Sequence, residues 1–174
     1  MLAYSSIAQA GFMLFAIFAM NDRAKEGIIL YAAAYSVATI GIFAVLIKMQ
    51  DYTIDGFNGL YKRQPVLALT SVVFLFSLTG VPLTAGFQAK LFMLMAAVEN
   101  GHQFWLVILA VLCAAISMYY YFRIIQAMFF KEPPADATEA WDVNNGFKAG
   151  LLIAALIIFL LGIFPDLLLD WVHH

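Results

Sequence analysis

The chain has 174 residues, of which 64% are hydrophobic and 11% charged, and its mean hydropathy is +0.90. This composition lies far outside that of soluble domains and indicates an integral membrane protein. The formal net charge of −2 and the absence of a basic patch argue against a nucleic-acid partner, and the single cysteine excludes disulfides and thiolate metal sites.

Five apolar runs, separated by short polar stretches, follow one another along the chain. They are residues 2–20, 28–47, 66–98, 104–130 and 147–169. Each run is long enough to cross a hydrocarbon layer of about 30 Å as a helix. Because unpaired backbone polar groups are not tolerated in lipid, we predict an all-α integral membrane protein with about five transmembrane crossings. Residues 1–174 are expected to form a single membrane domain.

The first run starts directly after Met1, with no basic region before it and no cleavage signal after it. We interpret this abrupt start as a helix entered partway through a longer chain. Its polar residues Ser5, Ser6 and Gln9 are compatible with lining a water path. Hydrogen bonding between helices explains them equally well.

The second run carries a polar stripe. Tyr31, Tyr35 and Thr39 recur every four residues, which places them on one face of a helix. This face is suited to line a water wire, and interhelical hydrogen bonding is the alternative.

The third run poses a counting problem. Its 33 residues are too many for one straight crossing. A split at Gly80-Val81-Pro82, however, leaves two pieces that are shorter than the roughly 20 residues a crossing needs. The run is therefore either a hairpin of two short helices or one broken crossing made of two half-helices.

The distribution of lysine and arginine decides between these topologies. A single broken crossing leaves Arg23 and Lys25 on one side and puts the other basic loop residues together. These are Lys48, Lys62, Arg63, Arg123, Lys131 and Lys148. Two crossings would divide the charges five against three. Cytoplasmic loops carry the excess of basic residues, so the topology with six basic residues on one side and two on the other is favoured. This topology has a single broken crossing and cytoplasmic loops at 49–65 and 131–146.

The break points to a transport pathway. Pro82 has no N–H to donate, and Gly80 and Gly86 are expected to lower the cost of leaving helical geometry. Non-helical backbone at this depth is tolerated only where it is buried in protein or faces water.

Lys90 follows four residues after Gly86, in or near the first turn of the second half-helix, and has no charged neighbour nearer than Glu99. Desolvation disfavours its ammonium form, and the positive end of the half-helix adds to that cost. We therefore predict that Lys90 is a proton relay. A structural ion pair or a snorkelling lysine is the alternative.

The fourth run ends with Tyr119, Tyr120, Tyr121 and Arg123, which we interpret as an interfacial anchor with a snorkelling arginine. The sequence contains no nucleotide loop, catalytic triad, metal-ligand cluster, or haem or flavin motif. We therefore expect neither a metal nor a cofactor in this chain.

Four segments carry a resemblance to a known family. They are Met1-Leu-Ala-Tyr-Ser-Ser-Ile-Ala-Gln-Ala-Gly-Phe12, Leu78-Thr-Gly-Val-Pro-Leu-Thr-Ala-Gly-Phe-Gln-Ala-Lys90, Tyr119-Tyr-Tyr-Phe-Arg123 and Leu161-Gly-Ile-Phe-Pro165. In this order they resemble the C-terminal part of the antiporter-like membrane subunits of respiratory complex I, most closely the subunit N branch. The branches L and M usually carry a buried lysine in the second helix, where this chain reads Leu30-Tyr-Ala-Ala-Ala-Tyr-Ser36.

The resemblance implies a proton-translocating subunit of NADH:quinone oxidoreductase, an enzyme complex of the translocase class. It implies that Lys90 is the channel lysine that couples quinone reduction to proton transport. The implied partners are other membrane subunits, the lipid bilayer and a missing N-terminal part of the same subunit, in a bacterial plasma membrane. NADH, flavin, iron–sulfur clusters and quinone would be bound by partner subunits only, so this chain would hold no redox site.

One residue departs from the pattern, and two other functions stay open. Gln9 stands where the subunit N branch often has histidine, and an amide orients water without changing charge. One alternative function is that of a subunit of a multi-subunit cation/proton antiporter, which shares the broken-helix lysine. The other is a structural membrane scaffold in which Lys90 forms a fixed ion pair.

Overall fold

The computed structural model describes residues 2–49, 51–99, 104–133 and 142–173, and within these ranges the secondary structure is helical. The helices are α1 (Leu2–Ala19), α2 (Asp22–Ile47), α3 (Leu60–Arg63), α4 (Pro65–Thr79), α5 (Ala85–Glu99), α6 (Phe104–Phe130), α7 (Asn145–Ile163) and α8 (Asp166–His173), with a 3₁₀ turn at Asp55–Phe57. By length and composition, α1, α2, α6 and α7 can cross a membrane, and α4 is a shorter apolar helix. The predicted all-α membrane fold is confirmed.

The helices α4 and α5 lie one after the other along α2. A Cβ atom at Gly41, in the C-terminal half of α2, would lie 2.5 Å from the Phe74 ring of α4. At Gly27, in the N-terminal half, a Cβ would lie 2.8 Å from Met93 Cγ of α5. Each half-helix has 15 residues and is about 22 Å long. They therefore form one crossing antiparallel to α2, as the charge count predicted.

The start of α2 meets the end of α5. The Asn21 side chain accepts from Ala24 N at 2.8 Å, which caps α2, and donates to Ala96 O of α5 at 3.2 Å. Arg23 pairs with Glu99 at 3.2 Å. These contacts fix the register between the two helices at the end of the bundle that carries Arg23 and Lys25.

The two loops predicted to be cytoplasmic meet at the opposite end. Lys62 pairs with Glu132 at 2.8 Å, and Lys131 pairs with Asp55 at 3.6 Å. The Lys48 ammonium lies 5.2 Å from the centre of the ring of Phe147, in the first turn of α7. Residues 134–141 of the second loop lie outside the described ranges. Lys48, Lys62 and Lys131 thus lie at one end of the bundle, as a single broken crossing requires.

The buried apolar residues form two clusters. The cluster nearer the loop end contains Ile42, Leu67, Phe74, Met128 and Ile158, among others. The other cluster lies between α1, the N-terminal half of α2 and α5, and it includes Phe12, Leu30, Ala89 and Met93. At the level of the break, between α4 and α5, buried polar side chains lie between these clusters.

Candidate functional site

Gly80 ends the first half-helix. It has φ +90°, a left-handed conformation that glycine adopts without steric cost. The N–H groups of Gly80 and Val81 both donate to Phe76 O, at 2.9 Å each, which satisfies one of the last carbonyls of α4. Pro82 is exposed and follows two residues after this turn. The glycine therefore ends α4, and the proline prevents the helix from continuing.

Gly86 lies inside α5, where it allows the two half-helices to approach each other. Its N–H donates to Ser77 Oγ at 3.2 Å, and a Cβ atom at this position would lie 1.9 Å from Ser77 O. We predicted that Gly86 eases the departure from helical geometry, and this was wrong. Helical geometry starts at Ala85, and the missing side chain is needed for close packing instead.

Lys90 binds the end of the first half-helix. Its side chain is only 6% exposed, and its Nζ donates to Leu78 O at 2.7 Å and to Thr79 O at 3.2 Å. These are two of the last four carbonyls of α4, which have no partner in the following helical turn. Within the described part of the chain, Lys90 makes no ion pair with a carboxylate.

The electrostatic prediction for Lys90 was incomplete because it considered only one half-helix. Lys90 lies in the second turn of α5, and its side chain points back toward the start of that helix. The ammonium thereby reaches the C-terminal end of α4, where the helix dipole is negative and favours a cation. The negative end of α4 thus opposes the positive end of α5.

An aromatic ring covers another side of the ammonium. The centre of the Phe12 ring, on α1, lies 4.7 Å from Lys90 Nζ. This distance is within the range of cation–π interactions. Two carbonyl oxygens and one ring face therefore surround a buried cation.

Gln9 is the centre of the adjacent hydrogen-bond network. This side chain, 1% exposed, donates from Nε2 to Leu78 O at 3.0 Å and to the Tyr121 hydroxyl at 3.2 Å. Its Oε1 accepts from the Tyr31 hydroxyl. Gln9 and Lys90 therefore share the Leu78 carbonyl as acceptor, which links α1, α2 and α6 to the break.

Tyr121 belongs to this network, and its assignment as an interfacial anchor was wrong. Its side chain is 1% exposed, and its hydroxyl bonds to Ser5 Oγ as well as to Gln9. Tyr119, two residues before Tyr121 in the chain, is 70% exposed. The burial of Tyr121 could have been predicted from helical periodicity. Ser117, Tyr121 and Ile124 are spaced four and three residues apart, so they lie on the same, buried face of α6.

A Tyr121→Phe substitution is expected to destabilise the protein by about 1–2 kcal/mol, because it removes a hydroxyl that serves two buried polar partners. The measurement is the thermal midpoint of the purified, assembled protein. Tyr119→Phe is the matched control and is expected to leave the midpoint unchanged. Equal midpoints for both variants would show that the Tyr121 hydroxyl does not hold the network together.

Two cavities adjoin the network. The larger has a volume of about 240 Å³, and the polar residues that line it are Ser5, Ser6, Tyr35 and Thr39. Ser6 donates to Ala3 O in its own helix, at 2.6 Å. The buried Thr39 hydroxyl has no hydrogen-bond partner among the described residues. Ser6 and Thr39 therefore face the cavity without joining the network around Gln9.

The smaller cavity lies against the break. It measures about 10 Å³, close to the space that one water molecule needs. Gln9, Tyr31, Tyr35, Ser77 and Gly86 are among its lining residues. The rings of Tyr31 and Tyr35 stack with centres 6.2 Å apart, so the predicted stripe on α2 does form one face.

Comparisons with known proteins agree with this architecture. Residues 1–117 match the family described as NADH:quinone oxidoreductase/Mrp antiporter, TM. NADH-quinone oxidoreductase subunit N of Chloroflexus aggregans is 38% identical over 171 residues, which cover 95% of this chain and 34% of that protein. F(420)H(2) dehydrogenase subunit N of Methanosarcina mazei is 36% identical over 180 residues and is matched over 36% of its length.

Solved structures show the same fold. A chain of respiratory complex I from Thermus thermophilus with bound aureothin superposes with a TM-score of 0.82 at 31% identity, over 97% of this chain and 38% of that one. A chain of the Mrp complex from Dietzia gives a TM-score of 0.79 at 19% identity, over 97% of this chain and 40% of that one, which shows a shared fold alone. The chain spans about a third of the length of the curated relatives that it matches, 34% in the first of them.

Proposed function

The chain belongs to the NADH:quinone oxidoreductase/Mrp antiporter transmembrane family, and from this premise we propose that it acts in a proton-translocating subunit of an NADH:quinone oxidoreductase. The relatives at 36–38% identity that carry the name subunit N favour an oxidoreductase over a cation/proton antiporter. The observation that carries the proposal is a buried lysine at a helix break, without a paired carboxylate in the described residues.

Lys90 is the proposed relay. Its ammonium releases one proton to water and later takes one back. The neutral amine keeps two N–H groups, which match the two acceptors Leu78 O and Thr79 O. The end of α4 therefore keeps its partners in both charge states, and proton release does not have to break the helix cap.

Water in the two cavities is the proposed route to Lys90. Ser5, Ser6, Tyr35 and Thr39 offer hydroxyl groups to water in the larger cavity. The Gln9 amide shares the Leu78 carbonyl with Lys90, and an amide does not relay a proton by changing its charge. The proton therefore passes beside Gln9 through the small cavity at Tyr31 and Tyr35.

The driving energy comes from other subunits in this proposal. NADH, flavin, iron–sulfur clusters and quinone are bound by partner subunits, and quinone reduction there changes the electrostatic field at Lys90. The similar solved structures are chains of multi-subunit complexes, which supports membrane partners for this chain. The whole assembly acts in a bacterial plasma membrane.

The end of the bundle that carries residues 49–65 and 131–146 is proposed to face the cytoplasm. We expect a cysteine at the exposed Tyr52 to react with a membrane-impermeant maleimide only in inside-out vesicles. A cysteine at Lys25, at the other end, is the control and is expected to react only in right-side-out vesicles. Cys113→Ser removes the one native thiol of this 174-residue stretch in both variants, and the labelled position is read out by mass spectrometry of its peptide. The reverse pattern would invert the proposed orientation.

The function is tested with the complete complex in vesicles. Proton translocation and NADH oxidation are measured together for wild type and Lys90→Ala, and assembly is checked alongside. A sharp loss of translocation in an assembled Lys90→Ala complex supports a relay. Unchanged translocation would remove Lys90 from the proton path.

A further inference from the structure

Phe12 contacts the Lys90 ammonium in addition to its two carbonyl acceptors. Leu78 O and Thr79 O accept from Lys90 Nζ, and the ring centre lies 4.7 Å from the same atom. The Phe12 side chain is 5% exposed, so water has little access to this contact. We propose that Phe12 is a positioning residue whose ring face stabilises the ammonium of Lys90, which pairs with no carboxylate among the described residues.

The chemistry of the ring suits a group that must exchange protons. The face of an aromatic ring is electron-rich and attracts an ammonium, more strongly where water is excluded. A buried carboxylate would hold the ammonium far more tightly and would leave a charge behind when the proton departs. The ring has no net charge, so Lys90 can become neutral without leaving an unpaired ion.

Ordinary packing is the competing role for Phe12. The residue belongs to the apolar cluster with Ala16, Leu30 and Met93. A Phe12→Leu substitution removes the ring face and also leaves a void, so its effects mix electrostatics with packing. A decisive test must weaken the ring face while it keeps the shape of the side chain.

Fluorinated phenylalanines meet this requirement, because each fluorine draws electron density from the ring face and changes the size of the ring little. We would place 4-fluoro-, 3,5-difluoro- and 3,4,5-trifluorophenylalanine at position 12 of the full-length subunit, by amber suppression, in the assembled complex. The series leaves the hydroxyl groups of Tyr31 and Tyr121 unchanged, so the hydrogen bonds of Gln9 are the same in every variant.

The readout is the fraction of Lys90 present as free amine. Competitive acetylation with acetic anhydride at one fixed pH, followed by mass spectrometry, reports this fraction. Lys25, whose side chain is 74% exposed, provides the reference within the same chain. We expect Lys90 acetylation relative to Lys25 to rise steadily with fluorination, by up to about thirtyfold for the trifluoro ring. Acetylation that stays flat across the series would overturn the proposal.

This inference deepens the proposed function and rests on it only where it concerns proton transfer. If acetylation follows fluorination but Lys90→Ala still pumps protons, Phe12 stabilises the ammonium and the relay function fails. If acetylation is flat while Lys90→Ala abolishes pumping, the relay function stands and Phe12 only packs. The two results therefore separate failure of one claim from failure of the other.

Discussion

Proton translocation is expected to fall at least tenfold in Lys90→Arg, although this variant keeps a positive charge. The guanidinium of arginine stays protonated in proteins, so it cannot release a proton to water. It still offers N–H donors to the Leu78 and Thr79 carbonyls, which preserves the cap at the end of α4. The variant therefore separates the two possible roles of Lys90, a fixed charge and a proton carrier.

The measurement is the ratio of protons translocated to NADH oxidised, in vesicles that contain the complete complex. Lys90→Met supplies neither charge nor proton, and we expect it to fail as well. Lys62→Arg, which changes an exposed lysine paired with Glu132, is the control and is expected to behave like wild type. Normal translocation by Lys90→Arg would mean that a fixed charge is sufficient, and the relay would be refuted.

Gly86→Val is expected to prevent assembly of the subunit, and Gly86→Ala to destabilise it by about 1–3 kcal/mol. A Cβ atom at Gly86 would lie 1.9 Å from Ser77 O and 2.7 Å from Ser77 C. Both atoms belong to the backbone of α4, which cannot rotate away as a flexible side chain can. The two half-helices would therefore have to separate at the break.

Gly150→Ala is the matched control, because a Cβ atom at Gly150 of α7 meets nothing within 4 Å. Both variants add one methyl group to a helical glycine in a membrane helix. Subunit content of the membrane and thermal midpoint of the purified complex measure the effect. A Gly86→Ala complex as stable as Gly150→Ala would show that α4 and α5 do not approach this closely.

Much of the architecture follows from sequence patterns that have a direct physical cause. Hydrophobic length predicts the helices, because each crossing must hide its backbone from lipid. The single broken crossing follows from the positions of eight basic residues, and the contacts along α2 confirm it. Lys90 also stands out in the sequence, since a lone ammonium in an apolar run demands a partner.

The partners of Lys90 could not be read from the sequence. Leu78 and Thr79 contribute main-chain carbonyls, which any residue carries, so the side chains give no signal. Gln9 and Phe12 come from α1, and only the packing of α1 against α5 brings them to the break. The role of Gly86 was missed for the same reason, because a close approach between helices depends on their crossing geometry.

The glycines of α2 have a consequence for motion. Phe74 of α4 packs against Gly41, and Met93 of α5 packs against Gly27. One continuous helix, α2, therefore contacts both half-helices and holds them in line across the break. Gly27 and Gly41 are 14 residues apart, which is about 21 Å along the axis of α2. If α4 and α5 bent relative to each other at the break, Phe74 or Met93 would lose its contact with the glycine of α2. We therefore expect that water and side chains move during the transport cycle, while the backbones of α2, α4 and α5 stay in place.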